Sequence, residues 1–262
     1  MSLLEIVFSD VWYTIGATRS NRFIEATAAL LRKPRVMHWV GTDIEVARKN
    51  PSVIARLKAQ HVLHLAEVDW TARELHDLGF AARIAPLPPR LMKRSLSAMP
   101  DIFTMLLYLP RTRAEFYGRA EYERLIHNLR REKIRFLIVG GGHLTTDFSA
   151  PVENLGFQPS MEEVYANSSA LLRIPKRDGL SLMVLEALSL GRYVIWSQAF
   201  PFVTSVTDYS SIEAAARGFL ERHLNGALPL QIEASAFVAE RYDYARCLKD
   251  IATAWNDSRN CN

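Results

Sequence analysis

Short apolar runs alternate with longer amphipathic stretches along this chain, and that alternation limits its fold more than any other feature. Each apolar run has the length of a buried β-strand, and each amphipathic stretch has the spacing of a helix with one apolar face. Strand and helix in alternation favour parallel sheets covered on both faces. The sequence therefore predicts an α/β fold with strands at Leu3–Phe8, Val36–Val40, Val62–Ala66, Ala82–Ala85, Ile102–Leu109, Phe136–Val139, Ala170–Ile174 and Tyr193–Trp196.

The proline-rich segment Pro86–Arg90 interrupts this pattern, because proline lacks a backbone N–H and fixes φ. A chain of 262 residues exceeds one average domain. We therefore predict two Rossmann-like domains with a cleft between them: residues 1–92, residues 93–235, and a last helical segment 236–262. The predicted helices are Arg22–Leu31, Thr71–Leu78, Glu115–Arg131, Met161–Asn167, Ser181–Leu190, Ser211–Leu224 and Ala234–Trp255.

Composition excludes several classes of protein. Hydrophobic residues make up 49% of the chain and charged residues 23%, which excludes a disordered chain. The net charge of +4 favours anionic ligands, but the clustered basic and aromatic residues of nucleic-acid modules are lacking, so no nucleic acid is expected. Two cysteines, Cys247 and Cys261, make no disulfide framework or zinc motif. Without an export signal or a membrane-spanning run, the expected location is the cytoplasm.

The stretch from Ala170 to Gly191 carries most of the chemical information. A strand is followed by a loop containing Asp178 and Gly179, and then by a helix that begins near Leu180 or Ser181. The first amides of a helix have no partner within it, and the helix dipole favours negative charge there. The free amides of Leu180, Ser181 and Leu182 therefore predict an anion site, which a phosphate would suit.

Glu186 lies in the second turn of that helix, among apolar residues. A carboxylate in such surroundings is costly unless a partner satisfies it, and hydroxyl groups of a ligand are one such partner. The other interpretation is a glutamate on an exposed helix face. The glycines after strand Phe136–Val139 leave a similar choice, because Gly141 and its neighbours would allow either close approach of a ligand or a tight turn.

Asp178-Gly-Leu-Ser-Leu-Met-Val-Leu-Glu186-Ala187 resembles the signature of retaining glycosyltransferase family 4 (group 1), an acidic residue and a glutamate separated by seven residues. Aspartate replaces the first glutamate of that motif. The resemblance continues through Gly191–Ser197 and implies the GT-B fold, two Rossmann-like domains facing across a cleft. Only about ninety residues precede Pro89, so a truncated N-terminal domain is expected. By the same resemblance, the last helix packs back toward that domain.

The resemblance also implies roles for individual residues in the C-terminal half. Asp178 would contact the donor sugar and Glu186 the ribose, while the amides of Gly179, Leu180, Ser181 and Leu182 face sugar and diphosphate. Gly141 would lie beside the nucleotide, and Phe157 and Gln158 beside the base. The family places a lysine before a glycine where this chain has Tyr117, which leaves Arg111 and Arg113 to neutralise the leaving diphosphate.

In the N-terminal half, Val36–Asp43 resembles the family's strand and glycine turn near the acceptor and the donor sugar. His38 is therefore a candidate catalytic residue, with Gly41, Thr42 and Asp43 on the acceptor side. The residues themselves leave simpler roles open: Thr42 or Asp43 can cap the following helix, and His38 can be a core histidine.

Together these features predict a metal-independent, retaining glycosyltransferase without a cofactor, acting in polysaccharide biosynthesis. It would move a sugar from a nucleotide-diphosphate donor to a hydroxyl of a saccharide or lipid-linked acceptor. The basic cluster Arg90–Arg94 suits either peripheral contact with a membrane surface or a solvated linker. The alternative function is a non-catalytic nucleotide-sugar-binding or regulatory module.

Overall fold

The computed structural model describes residues 10–16, 27, 30–89, 91, 96–146, 148 and 151–260, with side chains up to residue 257. Contacts between residues divide the chain into two units. The first comprises Met1–Pro89 with Tyr242–Asn262, and the second comprises Arg90–Arg241. The domain limits predicted from the sequence, after residues 92 and 235, remain predictions.

The first unit contains a four-stranded parallel sheet with the strands in sequence order. Its strands are β1 (Trp12–Ile15), β2 (Arg35–Trp39), β3 (Leu63–Ala66) and β4 (Ala82–Ile84), and its helices are α1 (Thr42–Arg48), α2 (Pro51–Lys58) and α3 (Asp69–Asp77).

Both faces of this sheet are covered. Met37 and Trp39 of β2 pack with Ile44, Leu57 and Leu75 of the three helices. On the opposite face, Val36 and Leu65 pack against Ala254, Ile251 and Trp255 of the C-terminal helix. Because both faces of the sheet are covered, all five residues of β2 are buried, which explains why apolar residues occur on both faces of this strand and not only at alternate positions.

The second unit contains a six-stranded parallel sheet in the order β10-β9-β8-β5-β6-β7. The chain builds outward from β5 through β6 to β7, and then crosses to the other side of β5 to add β8, β9 and β10. The order therefore reverses between β5 and β8, and ligands of open α/β sheets bind at the carboxyl ends of strands at such a point. The strands are β5 (Phe103–Tyr108), β6 (Ile134–Val139), β7 (Val152–Gly156), β8 (Ala170–Arg173), β9 (Tyr193–Trp196) and β10 (Thr204–Ser205).

The helices of the second unit follow the same alternation. A short 3-10 turn, Ala114–Tyr117, precedes α4. The helices are α4 (Arg119–Leu129), α5 (Glu162–Ala166), α6 (Leu182–Ser189), α7 (Tyr209–Leu224) and α8 (Ile232–Arg241), and α9 (Tyr244–Asn260) belongs to the first unit.

The predicted α/β fold with parallel sheets is confirmed. Seven of the eight predicted strands are found with ends shifted by up to two residues, while Leu3–Phe8 and most of Arg22–Leu31 lie outside the described residues. Strands β1, β7 and β10 were not predicted. Each contains polar or exposed positions, which breaks the apolar run that identifies a buried strand.

Two predicted helices are wrong in extent. Glu115–Arg131 is divided at Gly118, which adopts φ +86°, and a Cβ there would lie 2.7 Å from the Ile174 side chain. Ala234–Trp255 is divided after Arg241, because a new helix begins where Asp243 Oδ1 accepts a hydrogen bond from the Arg246 N–H.

Candidate functional site

The candidate site lies in the second unit, at the carboxyl edge of β5, β6 and β8. Three loops meet along this edge: residues 109–118 after β5, residues 140–146 after β6, and residues 174–181 after β8. They contain most of the site residues that the sequence predicts for this half of the chain.

The glycines after β6 have different tasks. A Cβ at Gly140 would lie 2.7 Å from the Leu109 carbonyl oxygen, and one at Gly142 would lie 2.6 Å from that of Pro110. These two glycines therefore allow one loop to pack on another. At Gly141 the nearest atom to an added Cβ is the Phe157 nitrogen at 4.0 Å, so this glycine borders open space.

Phe157 and Gln158 follow β7 and lie beside that glycine turn. The Phe157 ring is 80% exposed, which is unusual for so large an apolar side chain. The Gln158 side chain donates to the Leu155 carbonyl oxygen at 2.5 Å, which holds the loop in place. The structure thus brings together Gly141 and Phe157, two residues that are 16 positions apart in the sequence.

The N-terminus of α6 points to a ligand in two ways. Its N-cap residue, Ser181, makes no capping hydrogen bond, and its Oγ is buried without a hydrogen-bond partner among the described residues. The first backbone hydrogen bonds within the helix are donated by the N–H groups of Val184 and Leu185. The N–H groups of Leu182 and Met183 come before these and have no acceptor within the helix. Leu182 is 55% exposed, whereas Gly179 and Leu180 are buried.

Glu186 is half-buried and accepts a hydrogen bond at Oε2 from the Tyr165 hydroxyl, 2.8 Å away. Burial raises the pKa of this carboxyl, and the bond from Tyr165 offsets part of that effect. A glutamate on a fully exposed helix face is therefore not what the structure shows. The donor Tyr165 was not identified from the sequence, because it lies on a different helix 21 residues away.

The Asp178 carboxylate is hydrogen-bonded to two other side chains of the protein. Its Oδ2 accepts from Arg173 Nε at 2.6 Å and from Trp196 Nε1 at 3.1 Å, and its Oδ1 accepts from the second guanidinium nitrogen at 3.1 Å. Burial lowers the pKa of the Arg173 guanidinium, but the Asp178 carboxylate more than offsets this and leaves that pKa above its usual value.

Arg173 is a site residue that the sequence analysis missed. It ends the otherwise apolar strand β8 and is 8% exposed. Its guanidinium lies 5.5 Å from the ring centroids of Tyr108 and Tyr117. The available signal was an arginine at the end of a buried strand, since charged residues are almost never buried without a partner.

The two arginines predicted to meet the diphosphate, Arg111 and Arg113, are exposed on the loop after β5. Arg113 has φ +65°, and its guanidinium stacks 4.0 Å from the Phe116 ring centroid. Tyr117, at the position where the resembled family has lysine, packs edge-on against Tyr108 with ring centroids 5.2 Å apart.

The candidate residues of the first unit lie at the carboxyl edge of its own sheet. His38 is fully buried, and Nδ1 of its ring is 2.5 Å from the Tyr13 hydroxyl. Burial lowers the pKa of the His38 imidazole to about 4, with the Ala85 carbonyl offsetting part of the effect. His38 therefore has the surroundings of a core histidine.

The turn that follows β2 contains the acceptor-side candidates. Gly41 adopts φ +95°, and Thr42 is exposed at the first position of α1. Asp43 is buried, and its Oδ1 accepts from the Val40 and Ile44 N–H groups at 3.2 Å and 3.1 Å. The aspartate thus stabilises its own turn, although not as a conventional N-cap.

Within the described part of the chain, no group of three or more histidine, cysteine, aspartate or glutamate side chains could hold a metal ion. No helix in that part is long and apolar enough to cross a membrane.

The fold was compared with known proteins. No family model matches this chain, and no curated protein sequence matches it. Solved structures do match. HepE of Anabaena, solved in complex with UDP-glucose, has a TM-score of 0.72 and 13% identity, over 95% of this chain and 79% of HepE.

Two further structures agree with that result. Sucrose-phosphate synthase from Thermosynechococcus elongatus has a TM-score of 0.71 and 12% identity, over 97% of this chain and 74% of its own. TarM of S. aureus has a TM-score of 0.71 and 9% identity, over 97% of this chain and 57% of its own. This chain has the GT-B fold. At such low identity the likeness is one of fold.

Proposed function

We propose that this chain is a glycosyltransferase that uses a nucleotide-diphosphate sugar as donor and a hydroxyl of a saccharide or lipid-linked molecule as acceptor. The observation that carries the proposal is the N-terminus of α6. Among the described residues the buried Ser181 hydroxyl there has no hydrogen-bond partner, and the N–H groups of Leu182 and Met183 precede the first hydrogen bonds of the helix. An anionic group is the ligand that such a terminus favours.

The surrounding residues suit a nucleotide. Glu186 is one turn further along α6, and a carboxylate can accept hydrogen bonds from the two hydroxyls of a ribose. Within the described residues only Tyr165 is bonded to its carboxylate, at one oxygen. The exposed Phe157 ring offers a face for a base beside the open Gly141 turn. Because HepE was solved with UDP-glucose, UDP is the first nucleotide to test.

Catalysis would be electrostatic. As the bond between the anomeric carbon and the diphosphate oxygen breaks, negative charge grows on the diphosphate, where the amides of Leu182 and Met183 can stabilise it. The exposed Arg111 and Arg113 are the cations of the neighbouring loop. The acceptor oxygen bonds to the anomeric carbon, and its proton passes to the leaving diphosphate. In this proposal the amides and arginines neutralise the diphosphate, no metal takes part, and the anomeric configuration is retained as in family 4.

Isothermal titration of UDP, GDP and ADP tests the donor site directly. We expect one nucleotide to bind, and Glu186→Gln to weaken its binding about tenfold or more, since a hydrogen bond to a charged group is worth about 1.5–3 kcal/mol. Glu221→Gln on the exposed surface of α7 is the matched control and should bind as the wild type does. If none of the three nucleotides binds, the proposal is wrong.

A non-catalytic nucleotide-sugar-binding module is the second candidate. Two observations favour it: Tyr117 stands at the family's lysine position, and the Asp178 carboxylate is bonded to Arg173 and Trp196. Such a module would bind the nucleotide with the same dependence on Glu186. It would release no UDP from UDP-glucose when a panel of saccharide and lipid-linked acceptors is added, whereas an enzyme would.

A further inference from the structure

Asp178 connects the ends of two neighbouring strands. Its donors, Arg173 and Trp196, are the last residues of β8 and β9, and they are register partners across the sheet. The carboxylate therefore links the carboxyl ends of these two strands by accepting three hydrogen bonds, two from the guanidinium and one from the indole. The side chains of Arg173 and Asp178 are only 10% and 13% exposed.

The buried guanidinium explains why this carboxylate faces the sheet. Arg173 is surrounded by the rings of Tyr108 and Tyr117, and Asp178 is the carboxylate paired with it. If Asp178 turned toward a sugar hydroxyl, it would exchange a paired charge for a bond to a neutral group. The buried guanidinium would then lose its counter-charge, which costs more than one such bond returns.

The same contacts fix the loop that leads to α6. Lys176 N–H donates to the Phe116 carbonyl oxygen at 2.8 Å, and Ser197 Oγ donates to that of Pro175 at 3.0 Å. Asp178 is the third anchor of this loop, three residues before the N-cap Ser181. The position of the first amides of α6 thus depends on these anchors.

We propose that Arg173 and Asp178 are a positioning pair that sets the loop before α6, so that main-chain groups of Gly179–Ser181 meet the donor sugar in place of a carboxylate. This inference rests on the proposed donor site. It gives Asp178 a different task from the sugar contact that the sequence resemblance implies. Because the loop precedes the helix amides, the pair governs affinity for the diphosphate as well as for the sugar.

The test compares the dissociation constants of UDP and UDP-glucose, measured by isothermal titration, for the wild type, Asp178→Asn, Arg173→Met and the double variant. For a positioning pair, each single substitution weakens the binding of UDP about tenfold, because the displaced amides serve the diphosphate that both ligands share. The binding of UDP-glucose is weakened at least as much, because the same loop meets the sugar, and Asp178→Asn and Arg173→Met give the same pattern. The double variant, which has no unpaired buried charge, is weakened by much less than the product of the single effects.

Other outcomes separate the alternatives. A selective loss of UDP-glucose affinity in Asp178→Asn, with UDP binding retained and Arg173→Met unaffected, would show that Asp178 contacts the sugar and would overturn the inference. Unchanged binding of both ligands in all variants would reduce the pair to a stabilising contact and would overturn it as well. If Arg173→Met does not fold, Arg173→Lys replaces it, since lysine keeps the charge but lacks the fork. If the wild type binds neither ligand, the proposed function itself fails.

Discussion

Acid should destabilise the first unit through two buried histidines that do not take part in the proposed donor site. Burial lowers the pKa of His38 to about 4, and burial together with the nearby Arg35 charge lowers that of His64 to about 4. His38 lies beside Tyr13, while His64 Nδ1 accepts from Trp39 Nε1 at 3.0 Å and packs against the Phe80 ring.

The sign and size of the effect follow from linkage. The ordinary pKa of a histidine is about 6.5, so between pH 6.5 and pH 4 the unfolded chain binds more protons than the folded one. Stability is therefore present above pH 6.5 and is lost as the pH falls through this window. Between pH 7 and pH 5 each histidine should lower the free energy of unfolding by about 2 kcal/mol, and the two together by about 4 kcal/mol. The whole free energy of unfolding of a typical domain is about 5–15 kcal/mol.

Urea unfolding at pH 7 and pH 5, followed by tryptophan fluorescence, measures this loss. His38→Asn and His64→Asn cannot become charged, and the new amide oxygen can still accept from Tyr13 or Trp39. Each substitution should remove about half of the pH-dependent loss. His76→Asn, on the exposed surface of α3, should remove none. The raised pKa of Glu186 in the second unit acts in the opposite direction, because a folded state that binds the proton more tightly gains stability in acid.

The reasoning would be refuted if the wild type lost less than about 1 kcal/mol between pH 7 and pH 5, or if both asparagine variants kept the full loss. Either result would mean that the two imidazoles are solvated or paired well enough to carry a proton in the folded state.

Two predictions concern stability in the second unit. Gly118→Ala should cost about 2–4 kcal/mol, because the position has φ +86° and an added Cβ meets an isoleucine side chain at 2.7 Å. Gly218 lies in the interior of α7, where an added Cβ would meet open space, so Gly218→Ala should raise the free energy of unfolding by about 0.5–1 kcal/mol. Equal urea midpoints for the two variants would contradict this prediction. Arg192 is fully buried and donates hydrogen bonds to the carbonyl oxygens of residues 97, 98 and 166. Arg192→Met should therefore lower the free energy of unfolding by about 3 kcal/mol and speed amide hydrogen exchange around residue 98. Exchange as slow as in the wild type would show that the arginine does not anchor this segment.

Some of the site could be located from the sequence, because the signals are local. A helix that begins near Ser181 after a strand and a glycine-containing loop can be recognised within about twenty residues. The same holds for strands such as β5 and β9, whose apolar runs are continuous because both faces of the sheet are covered.

Other features depended on contacts between distant residues. Whether Glu186 faced solvent or a partner could not be read from its helix, since its donor Tyr165 belongs to α5. Strand β7 escaped prediction because it lies at the edge of its sheet, where polar residues such as Glu153 are tolerated.

By itself the sequence determined the alternation of strands and helices and the parallel sheets, and it predicted an anion site in the stretch from Ala170 to Gly191. These follow from hydrophobic periodicity and from glycine and proline chemistry, which act over a few residues. Only the tertiary structure decided where Asp178 and His38 direct their polar atoms. Two of their partners, Trp196 and Tyr13, are 18 and 25 residues away along the chain, and charge and burial depend on such neighbours in space.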